Sequence, residues 1–508
     1  MRHYINGRWV PAADSSEVWV SRSPADGTDV LGEFAEDEAA VEEAIAAARR
    51  AWPAWDALGP ERRAEHLRAL ASAFDARKEE VADRIAREVG KPRWEALGEA
   101  GALGAKVAVT LADGMEAVQE QVLTPGTSWI DGGYRYRPLG VCAVIGPFNF
   151  PLHLPNGHII PALATGNTCV FKPSELAPAC ADLYMEIVHE AGLPPGVLNM
   201  VQGRVASGKR LVSSPDVNAV LFTGSVHAGI AIRRATVEQP WKLLALEMGG
   251  KNTVLVFEDA DLDRAAYEIG TGALLTTGQR CSAASRVVVA ESLVEGLLAR
   301  LERIWDGVRV GHPLDPDAFM GPLINAAAKE RFLAVPEKAA AEGLIAVRTN
   351  RPAQVDGPDG PYAGHYVLPA LWRAEPDAVG GEHDTLEIFG PDVIVHVVAD
   401  GDEERMIEVA NATPFGLSMG VITADVARFE RLARRLRAGI INFNRSTVGA
   451  SSRLPFGGVG NSGNHRPAAV LATRYCTYPV ATLRQPMALD PDTIMTRFPE
   501  FMHGERGE

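Results

Sequence analysis

The sequence lacks several features that mark specialised classes of protein. Its 508 residues contain only five cysteines, and no CxxC pair occurs. An odd number of widely spaced cysteines argues against a disulfide framework or a zinc site and favours a reducing compartment. The first residues contain no apolar segment typical of a secretory signal, and no apolar run is long enough to span a membrane. We therefore expect a cytoplasmic protein without a metal site or a membrane segment.

Positive charge is also scarce. The chain has 50 lysine and arginine residues against 65 acidic ones, so its formal net charge is −15. Because phosphate contacts need a basic surface, this balance argues against nucleic acid as a main partner. The length predicts roughly two or three domains, and an apolar share of 46% supplies ample core.

The chain does contain a regular alternation of strand and helix patterns. Apolar β-prone runs at 141–145, 168–171, 197–201 and 219–223 alternate with helical patterns, and a second series starts at 252–257. Such alternation predicts two parallel sheets with right-handed crossovers. Ligands of such sheets bind beyond the carboxyl ends of the strands. The loops that follow these strands are therefore the places where a site is expected.

The N-terminal region and two later segments complete the prediction of structure. Asn6-Gly7 between apolar pairs predicts a hairpin. Apolar residues at helical spacing from Val41 to Trp52 predict a helix that Pro53 ends. The β-prone segments 123–136 and 470–483 are expected to pair as a projecting sheet, whose edge would need a partner to cover it.

One stretch combines a candidate nucleophile with small residues. Cys281 follows Gly278-Gln279-Arg280, and glycine allows a ligand to approach backbone N–H groups. A cysteine becomes nucleophilic when donors or positive charge lower its pKa. A single cysteine is more commonly a small buried core residue, and from this stretch alone that reading stays open.

Two loops after predicted strands have the composition of a nucleotide site. Phe222 to Gly229 should open a helix, whose N–H groups and dipole would favour a phosphate. Its spacing is GxxxxG rather than the usual GxGxxG fingerprint, so a plain tight turn is the alternative. Lys172 and Glu175 end another strand, and a solvated ion pair is their alternative.

Four segments in matching order resemble the aldehyde dehydrogenase superfamily along nearly the whole chain. They are Gly-Pro-Phe-Asn-Phe-Pro at 146–151, Leu-Glu-Met-Gly-Gly-Lys at 246–251, Gly-Gln-Arg-Cys at 278–281 and Glu-Ile-Phe-Gly-Pro at 387–391. The resemblance implies that Cys281 attacks an aldehyde and that Asn149, with the Cys281 N–H, stabilises the oxyanion. It implies that Glu247 activates the water that hydrolyses the thioester.

The resemblance also implies NAD as cofactor, with Lys172 and Glu175 at the adenosine ribose. A carboxylate that accepts from the 2′-hydroxyl disfavours the 2′-phosphate of NADP. The residues implied to contact the cofactor are Lys172, Glu175, Gly203, Phe222, Gly224, Ser225, Gly229, Met248, Gly249, Glu387 and Phe389. No metal site is implied.

The resemblance also implies a domain organisation. We expect an α/β fold with two doubly wound parallel-sheet domains and a small β oligomerisation arm. The Rossmann-like NAD-binding domain is predicted at 1–122 and 143–249, and the catalytic domain at 250–469. The arm is predicted at 123–142 and 470–490, and the chain is expected to form a homodimer or a dimer of dimers.

Further segments resemble one subfamily, the succinylglutamate-semialdehyde dehydrogenases of arginine catabolism. They include 150–158, 245–250 and 455–467. At Phe148, Leu274 and Lys251 the chain has residues other than those usual in that subfamily. These differences leave the general reaction intact, but they bear on which aldehyde is the substrate. The dianionic semialdehyde would need basic anchors.

For the substrate's carboxylates, Arg445 at the end of a predicted strand is the first candidate. A guanidinium there would bind a carboxylate bidentately, and a solvent-facing arginine is the alternative. The further candidates are His153, Arg280, Arg453 and His465.

Three other functions stay open from the sequence. The chain could be an aldehyde dehydrogenase of broad or different specificity. A CoA-acylating dehydrogenase would need no water-activating residue, so Glu247 argues against it. A non-catalytic binding protein on the same scaffold would not need Cys281, Glu247 and Asn149 together.

Overall fold

A computed structural model describes residues 2–13, 17–123, 131–358, 360–375, 378–484 and 487 of the chain. The predicted arm therefore lies partly outside the described residues, at 124–130 and beyond 484. None of the described helices is long and apolar enough to cross a bilayer. The same residues contain no cluster of histidine, cysteine and acidic side chains arranged to hold a metal ion.

The described residues up to 247 form eleven strands and eight α-helices. The strands are β1 (Arg2–Ile5), β2 (Arg8–Pro11), β3 (Glu17–Arg22), β4 (Val30–Glu36), β5 (Gln121–Leu123), β6 (Asp131–Pro138), β7 (Val141–Ile145), β8 (Thr168–Lys172), β9 (Leu198–Met200), β10 (Ala219–Thr223) and β11 (Leu243–Glu247). The helices are α1 (Glu38–Ala57), α2 (Gly59–Ala76), α3 (Lys78–Val89), α4 (Arg93–Val109), α5 (His153–Ala164), α6 (Pro178–Glu190), α7 (Val205–Ser213) and α8 (Val226–Ala235).

The remaining elements follow residue 251. The strands are β12 (Asn252–Val256), β13 (Ala284–Ala290), β14 (Ile345–Arg348), β15 (Arg351–Pro352), β16 (Asp356–Gly357), β17 (Gly360–Pro361), β18 (Val367–Leu368), β19 (Ala370–Arg373), β20 (Asp392–Val398), β21 (Ser418–Ile422), β22 (Ile440–Phe443), β23 (Pro455–Phe456), β24 (Ala468–Ala469) and β25 (Thr477–Arg484). The helices are α9 (Leu262–Leu274), α10 (Val294–Gly307), α11 (Ala326–Leu333), α12 (Val335–Ala341), α13 (Glu382–Thr385), α14 (Glu403–Asn411), α15 (Val426–Ala433) and α16 (Ala472–Tyr475).

The first sheet has seven strands in the order β11-β10-β7-β8-β9-β1-β2. The five strands from β11 to β9 are parallel, and the hairpin β1–β2 adds two antiparallel strands at the other edge. Alternate residues of each strand enter two separate cores: Cys142 and Val144 pack on one face, and Val141 and Ala143 on the other. Burial on both faces explains why these strands are continuous apolar runs. The expected doubly wound arrangement is confirmed.

The second sheet repeats this plan in the order β14-β19-β20-β13-β12-β21-β22. All of its neighbouring strands are parallel except the edge strand β14. Helices α9 and α10 cover one face, and α14 and α15 cover the other. The prediction of two parallel-sheet units is therefore confirmed.

A separate three-stranded sheet joins the middle of the chain to its C-terminal part. Its order is β25-β6-β5, and β25 pairs with β6 over eight antiparallel residue pairs, from Thr477↔Pro138 to Arg484↔Asp131. The expected pairing of these two segments is thus confirmed. The strand β7 belongs to the first sheet from Val141 onward, two residues before the predicted boundary at 143.

One helix runs further than the sequence predicts. Pro53 lies inside α1, which continues to Ala57 instead of ending at Trp52. A proline within a helix removes one backbone hydrogen bond. Trp55 offsets this loss, because its side chain is buried and its Nε1 donates to the Leu163 carbonyl at 3.0 Å.

Helix α4 escapes sequence analysis because it contains three glycines, which lower helix propensity. Tertiary packing explains at least one of them. A Cβ added at Gly104 would lie 2.5 Å from Asp75 Oδ1, so α4 approaches α2 more closely there than any side chain allows. Helix α4 later proves important, because it contributes to the wall of the site.

Candidate active site

The carboxyl ends of the first sheet bring the predicted site residues together. Strand register places Ile145 beside Lys172, and Thr223 beside Glu247. The segments that follow these four strand ends leave the sheet at one edge, as parallel pairing requires. The first sheet therefore supplies Asn149, Glu247 and the predicted cofactor loops to one region.

Cys281 comes from the second domain, on a tight turn between α9 and β13. Thr276 and Thr277 in this turn adopt left-handed backbone angles, with φ of 54° and 55°. Glu95 of helix α4 holds the turn, because its carboxylate accepts from the Thr276 N–H at 3.0 Å. Gly278 has φ of 68°, and a Cβ there would lie 2.3 Å from the Gly390 carbonyl carbon. Only glycine fits at that position.

The surroundings of Cys281 favour the neutral thiol. Burial, and then the carboxylates of Glu387 and Glu247, raise the pKa of this thiol to about 12, while Arg280 acts in the opposite direction. An anion at Cys281 therefore needs positive charge or hydrogen-bond donors that arrive with the ligands.

Asn149 is held next to this cysteine. Its side chain is buried, and its Nδ2 donates to the Gln279 carbonyl at 2.8 Å. A primary amide carries two N–H groups, so one remains for a ligand after this bond is made. The bond ties the loop after β7 to the turn that carries the candidate nucleophile.

Glu247 ends strand β11 with a buried side chain, and its Oε2 has no hydrogen-bond partner among the residues that the structure describes. Burial raises the pKa of this carboxyl well above its usual range, and the Ala468 N–H opposes the shift. A buried acid with a free oxygen and a raised pKa has the properties of a general base near neutral pH.

Glu247 and Cys281 line the same cavity, whose volume is about 190 Å³. Its other walls come from helices α4 and α5, from the segment after Cys281 and from the 449–452 loop. The lining side chains beyond the two candidate catalytic residues include Lys106, Phe150, His153, His158, Arg280 and Phe456. A cavity of this kind accommodates a small ligand with an extended tail.

The loop after β8 places a lysine beside a carboxylate. Lys172 is buried, and its Nζ donates to the Pro173 carbonyl at 3.0 Å and to Glu175 Oε2 at 3.3 Å. The Glu175 side chain remains more than a third exposed. On the neighbouring strand end, Gly203 packs so closely on Ser207 that an added Cβ would lie 2.2 Å from its Oγ.

The predicted phosphate loop does open a helix. Ser225 caps the N-terminus of α8 and accepts from the Ala228 N–H at 3.2 Å. A Cβ at Gly224 would lie 2.5 Å from the Phe222 ring, and one at Gly229 would lie 2.4 Å from Met248 Sδ. Glycine is required at both positions, because a Cβ would collide with the Phe222 ring or with Met248.

Glu387 and Phe389 come from the loop before β20. Glu387 Oε1 accepts from the Gly250 N–H at 2.8 Å, and burial raises the pKa of this carboxyl to about 7. A Cβ at Gly249 would lie 2.1 Å from Glu387 Oε2, so glycine is required there. Phe389 has φ of 57° and meets Phe148 edge to face at 5.8 Å. These contacts fit a dinucleotide held between the two domains.

The predicted tail-binding residues separate into two groups. His153 and Arg280 line the cavity. Arg445 and His465 are exposed, and Arg453 forms an ion pair with Asp113 at 3.2 Å. Arg445 lies close to the cavity lining, because a Cβ on the cavity residue Gly449 would be 3.7 Å from its Nη2. A direct contact between Arg445 and a substrate stays a prediction.

Sequence reasoning missed Lys106, Gly157 and His158 in the cavity wall. The sequence does not single out Lys106, because helix α4 also buries the charged residues Glu95 and Glu99 on its core-facing side. Gly157 and His158 belong to the segment 150–158 that carries the subfamily resemblance, but their place in the cavity depends on the orientation of α5.

Comparisons with known proteins agree with this geometry. The profile of the Aldehyde dehydrogenase family matches residues 9–479. The N-succinylglutamate 5-semialdehyde dehydrogenase 1 of Caulobacter vibrioides is 43% identical over 93% of this chain and 97% of its own length. The N-succinylglutamate 5-semialdehyde dehydrogenase of Burkholderia ambifaria is 40% identical over 97% of this chain and 98% of its own.

A solved structure extends the likeness to three dimensions. PnpE in complex with nicotinamide adenine dinucleotide superimposes with a TM-score of 0.89 at 32% identity, covering 96% of this chain and 98% of that one. The chain belongs to the aldehyde dehydrogenase family. It is an oxidoreductase that acts on aldehydes with a nicotinamide dinucleotide.

Proposed function

We propose that this enzyme oxidises N-succinylglutamate 5-semialdehyde to N-succinylglutamate with NAD, a step of arginine catabolism. The full-length similarity to relatives that carry this name supports the substrate. The observation that carries the proposal is the cavity itself, in which Cys281 and Glu247 lie together with the basic side chains of Lys106 and Arg280. Such walls suit an aldehyde whose tail bears carboxylates.

In the first step, Cys281 gives up its thiol proton to solvent, and the thiolate attacks the aldehyde carbon. The carbonyl oxygen becomes an oxyanion, which the free N–H of Asn149 and the backbone N–H of Cys281 stabilise. These donors matter because the raised pKa of Cys281 makes the thiolate costly in the free protein.

A nicotinamide dinucleotide bound here would supply the hydride acceptor that the conversion of the adduct into a thioester requires. The residues that would hold it are the α8 terminus with Ser225, the pair Lys172 and Glu175, and the pair Glu387 and Phe389. Glu387 lines one cleft with Gly278 and Arg280 of the cysteine turn, so a group held by Glu387 would lie near Cys281.

Hydrolysis of the thioester is assigned to Glu247. Its free Oε2 takes a proton from water, and the resulting hydroxide equivalent releases the acid from Cys281. The presence of Glu247 favours hydrolysis over transfer of the acyl group to CoA, because transfer to CoA needs no residue that activates water.

The proposed preference for NAD rests on Glu175. Its partly exposed carboxylate would accept from a ribose 2′-hydroxyl and would repel a 2′-phosphate. Steady-state kinetics with both cofactors test this proposal. In wild type, kcat/KM should be higher with NAD than with NADP, and this preference should be smaller in Glu175→Ala. The same preference for NAD in wild type and in Glu175→Ala would contradict the proposal.

The substrate is tested by turnover with a panel of aldehydes. N-succinylglutamate 5-semialdehyde should give the highest kcat/KM, ahead of succinic semialdehyde and of neutral aliphatic aldehydes. Equal efficiency on all of them would instead support the second candidate, a dehydrogenase of broad specificity. Formation of an acyl-CoA in the presence of CoA would contradict hydrolysis as the final step.

We further propose that the sheet β25-β6-β5 is an oligomerisation arm and that the protein works in a reducing compartment such as the cytoplasm. The exposed apolar side chains of Val122, Tyr478 and Leu483 on this sheet support its role in oligomerisation. The five cysteines, all unpaired, support a reducing compartment.

A further inference from the structure

The cavity beside Cys281 contains a buried ammonium group that the proposed mechanism does not use. Lys106 lies in the last turn of α4, lines the cavity and is only 2% exposed. Its Nζ donates to the Ala469 carbonyl at 2.9 Å. Within the described part of the chain, no carboxylate pairs with it.

Other buried cations near this wall have their charge compensated. Lys91 forms an ion pair with Glu99 at 2.6 Å. Arg280 forms one with Glu95 at 2.6 Å and also donates to Thr276 Oγ1. Lys106 therefore differs from them, because it is a cation that faces the substrate space without an acidic partner. A buried ammonium in this state gains stability from an incoming anion.

The groups around Lys106 do not supply that anion. Burial lowers the pKa of His153 and His158, which keeps both rings neutral at pH 7. Burial raises the pKa of the Cys476 thiol well above its usual value, so this neighbour is neutral as well. Burial lowers the pKa of Lys106 to about 8, so most of the ammonium stays protonated at pH 7.

We propose that Lys106 is the binding subsite for a carboxylate on the tail of the substrate. The chemical class it selects is an aldehyde with a carboxylate remote from the reacting carbon. This inference rests on the proposed function and adds the residue that reads the acidic tail. Arg280 is a weaker choice for that task, because Glu95 and Thr276 already occupy part of its guanidinium.

The arrangement of the cavity supports this assignment. Lys106 and Cys281 line one continuous space, together with the hydroxyl-bearing Ser451 and Ser452 of the opposite loop. An aldehyde bound at the cysteine extends its tail into that space. A carboxylate there would meet one ammonium and hydroxyl donors, the combination that replaces its hydration.

The test compares Lys106→Met with wild type on two substrates, N-succinylglutamate 5-semialdehyde and hexanal. Methionine keeps the length of the side chain and removes the charge. KM for the acidic aldehyde should rise at least about ten-fold, the effect of losing one charge-assisted hydrogen bond, while both constants for hexanal stay within about two-fold. Lys78→Met is the matched control, since Lys78 begins α3 outside the cavity lining, and it should change neither KM.

Two further measurements separate charge recognition from a general defect. Calorimetric binding of the product N-succinylglutamate should weaken in Lys106→Met, whereas NAD binding should not change. In wild type, the ratio of kcat/KM for the acidic aldehyde to that for hexanal should fall above about pH 8, where Lys106 loses its proton. This ratio cancels the titration of Cys281 and Glu247, and it should not vary with pH in Lys106→Met.

The outcomes distinguish this inference from the proposed function. If wild type prefers a different acidic semialdehyde, the proposed substrate is wrong, and Lys106→Met should still raise KM for the preferred one. If wild type prefers N-succinylglutamate 5-semialdehyde and Lys106→Met leaves its KM unchanged, the Lys106 subsite is wrong and the proposed function stands. Equal losses on the acidic aldehyde and hexanal would also overturn the subsite.

Discussion

At the scale of single residues, Glu247 is the group whose removal gives the most specific signature. Glu247→Gln should allow one round of hydride transfer and then stall, because an amide cannot deprotonate water. We expect a burst of NADH equal to the enzyme concentration, followed by turnover at least about a hundred-fold slower than wild type. Rapid-mixing absorbance at saturating substrate measures the burst.

The companion variant for this experiment is Cys281→Ala. It should give neither burst nor turnover, yet bind the dinucleotide as wild type does, since the thiol makes no contact that holds the cofactor. Steady turnover in Glu247→Gln at the wild-type rate would exclude Glu247 as the base. A burst in Cys281→Ala would exclude Cys281 as the nucleophile.

Glu387 predicts a pH dependence of stability in the protein without cofactor. Burial raises its folded pKa from 4.5 to about 7, so the folded state favours the protonated acid. Stability from this group is fully present below the unfolded pKa and is lost as the pH rises toward 7. The loss is on the order of 3 kcal/mol, because each pKa unit corresponds to about 1.4 kcal/mol.

Thermal unfolding of the apo protein at pH 5 and pH 8 tests this expectation. The glutamine of Glu387→Gln cannot ionise, but it keeps an oxygen that accepts from the Gly250 N–H. The Tm of this variant should therefore fall less between pH 5 and pH 8 than the Tm of wild type. An identical fall in both proteins would show that Glu387 does not carry the effect.

At the scale of elements, helix α5 sets the width of the cavity. Gly157 lines the cavity, and an added Cβ would meet nothing within 4 Å. Gly157→Leu should therefore fold and should fill space that a branched acidic tail needs. We expect KM for N-succinylglutamate 5-semialdehyde to rise about ten-fold or more, with little change for propanal, from the loss of space alone.

The matched control is Gly98→Leu in helix α4. Gly98 is exposed, and an added Cβ there also meets nothing within 4 Å. This variant therefore makes the same glycine-to-leucine substitution without changing the shape of the cavity. Steady-state kinetics on the two aldehydes give the comparison. A loss shared by both substrates, or by both variants, would contradict a steric effect at Gly157.

At the scale of the whole molecule, the β25-β6-β5 sheet bears on the assembly. Val122 and Leu483 are about four-fifths exposed, 79% and 76%, which is unusual for apolar side chains on a regular sheet. If a partner subunit covers them, Val122→Lys with Leu483→Lys should shift the protein to a smaller species, because two buried lysines are costly. Light scattering coupled to size-exclusion chromatography measures the mass.

The control for assembly is the same pair of substitutions at Val18 and Val20, which are also exposed but lie on the β3–β4 hairpin. That variant should keep the mass of wild type. An unchanged mass in the Val122 and Leu483 variant would contradict the arm as an oligomerisation surface.

The sequence alone determined the fold class and the family, and it predicted the residues of the centre. Buried parallel strands are continuous apolar runs, so 141–145 and 219–223 were predictable to the residue. Cys281, Glu247 and Asn149 were found because they lie in short motifs whose order persists along the chain. Local signals of this kind do not depend on distant contacts.

Tertiary structure decided what surrounds those residues. Pro53 remains inside α1 because Trp55 packs beyond it, and α4 forms despite its glycines because α2 requires close approach. Lys106 resembles any core-facing lysine in the sequence. Only the packing of α4 against the cysteine turn, far away in the chain, makes it a charge in the substrate cavity, since a cavity wall is assembled from segments that no local pattern connects.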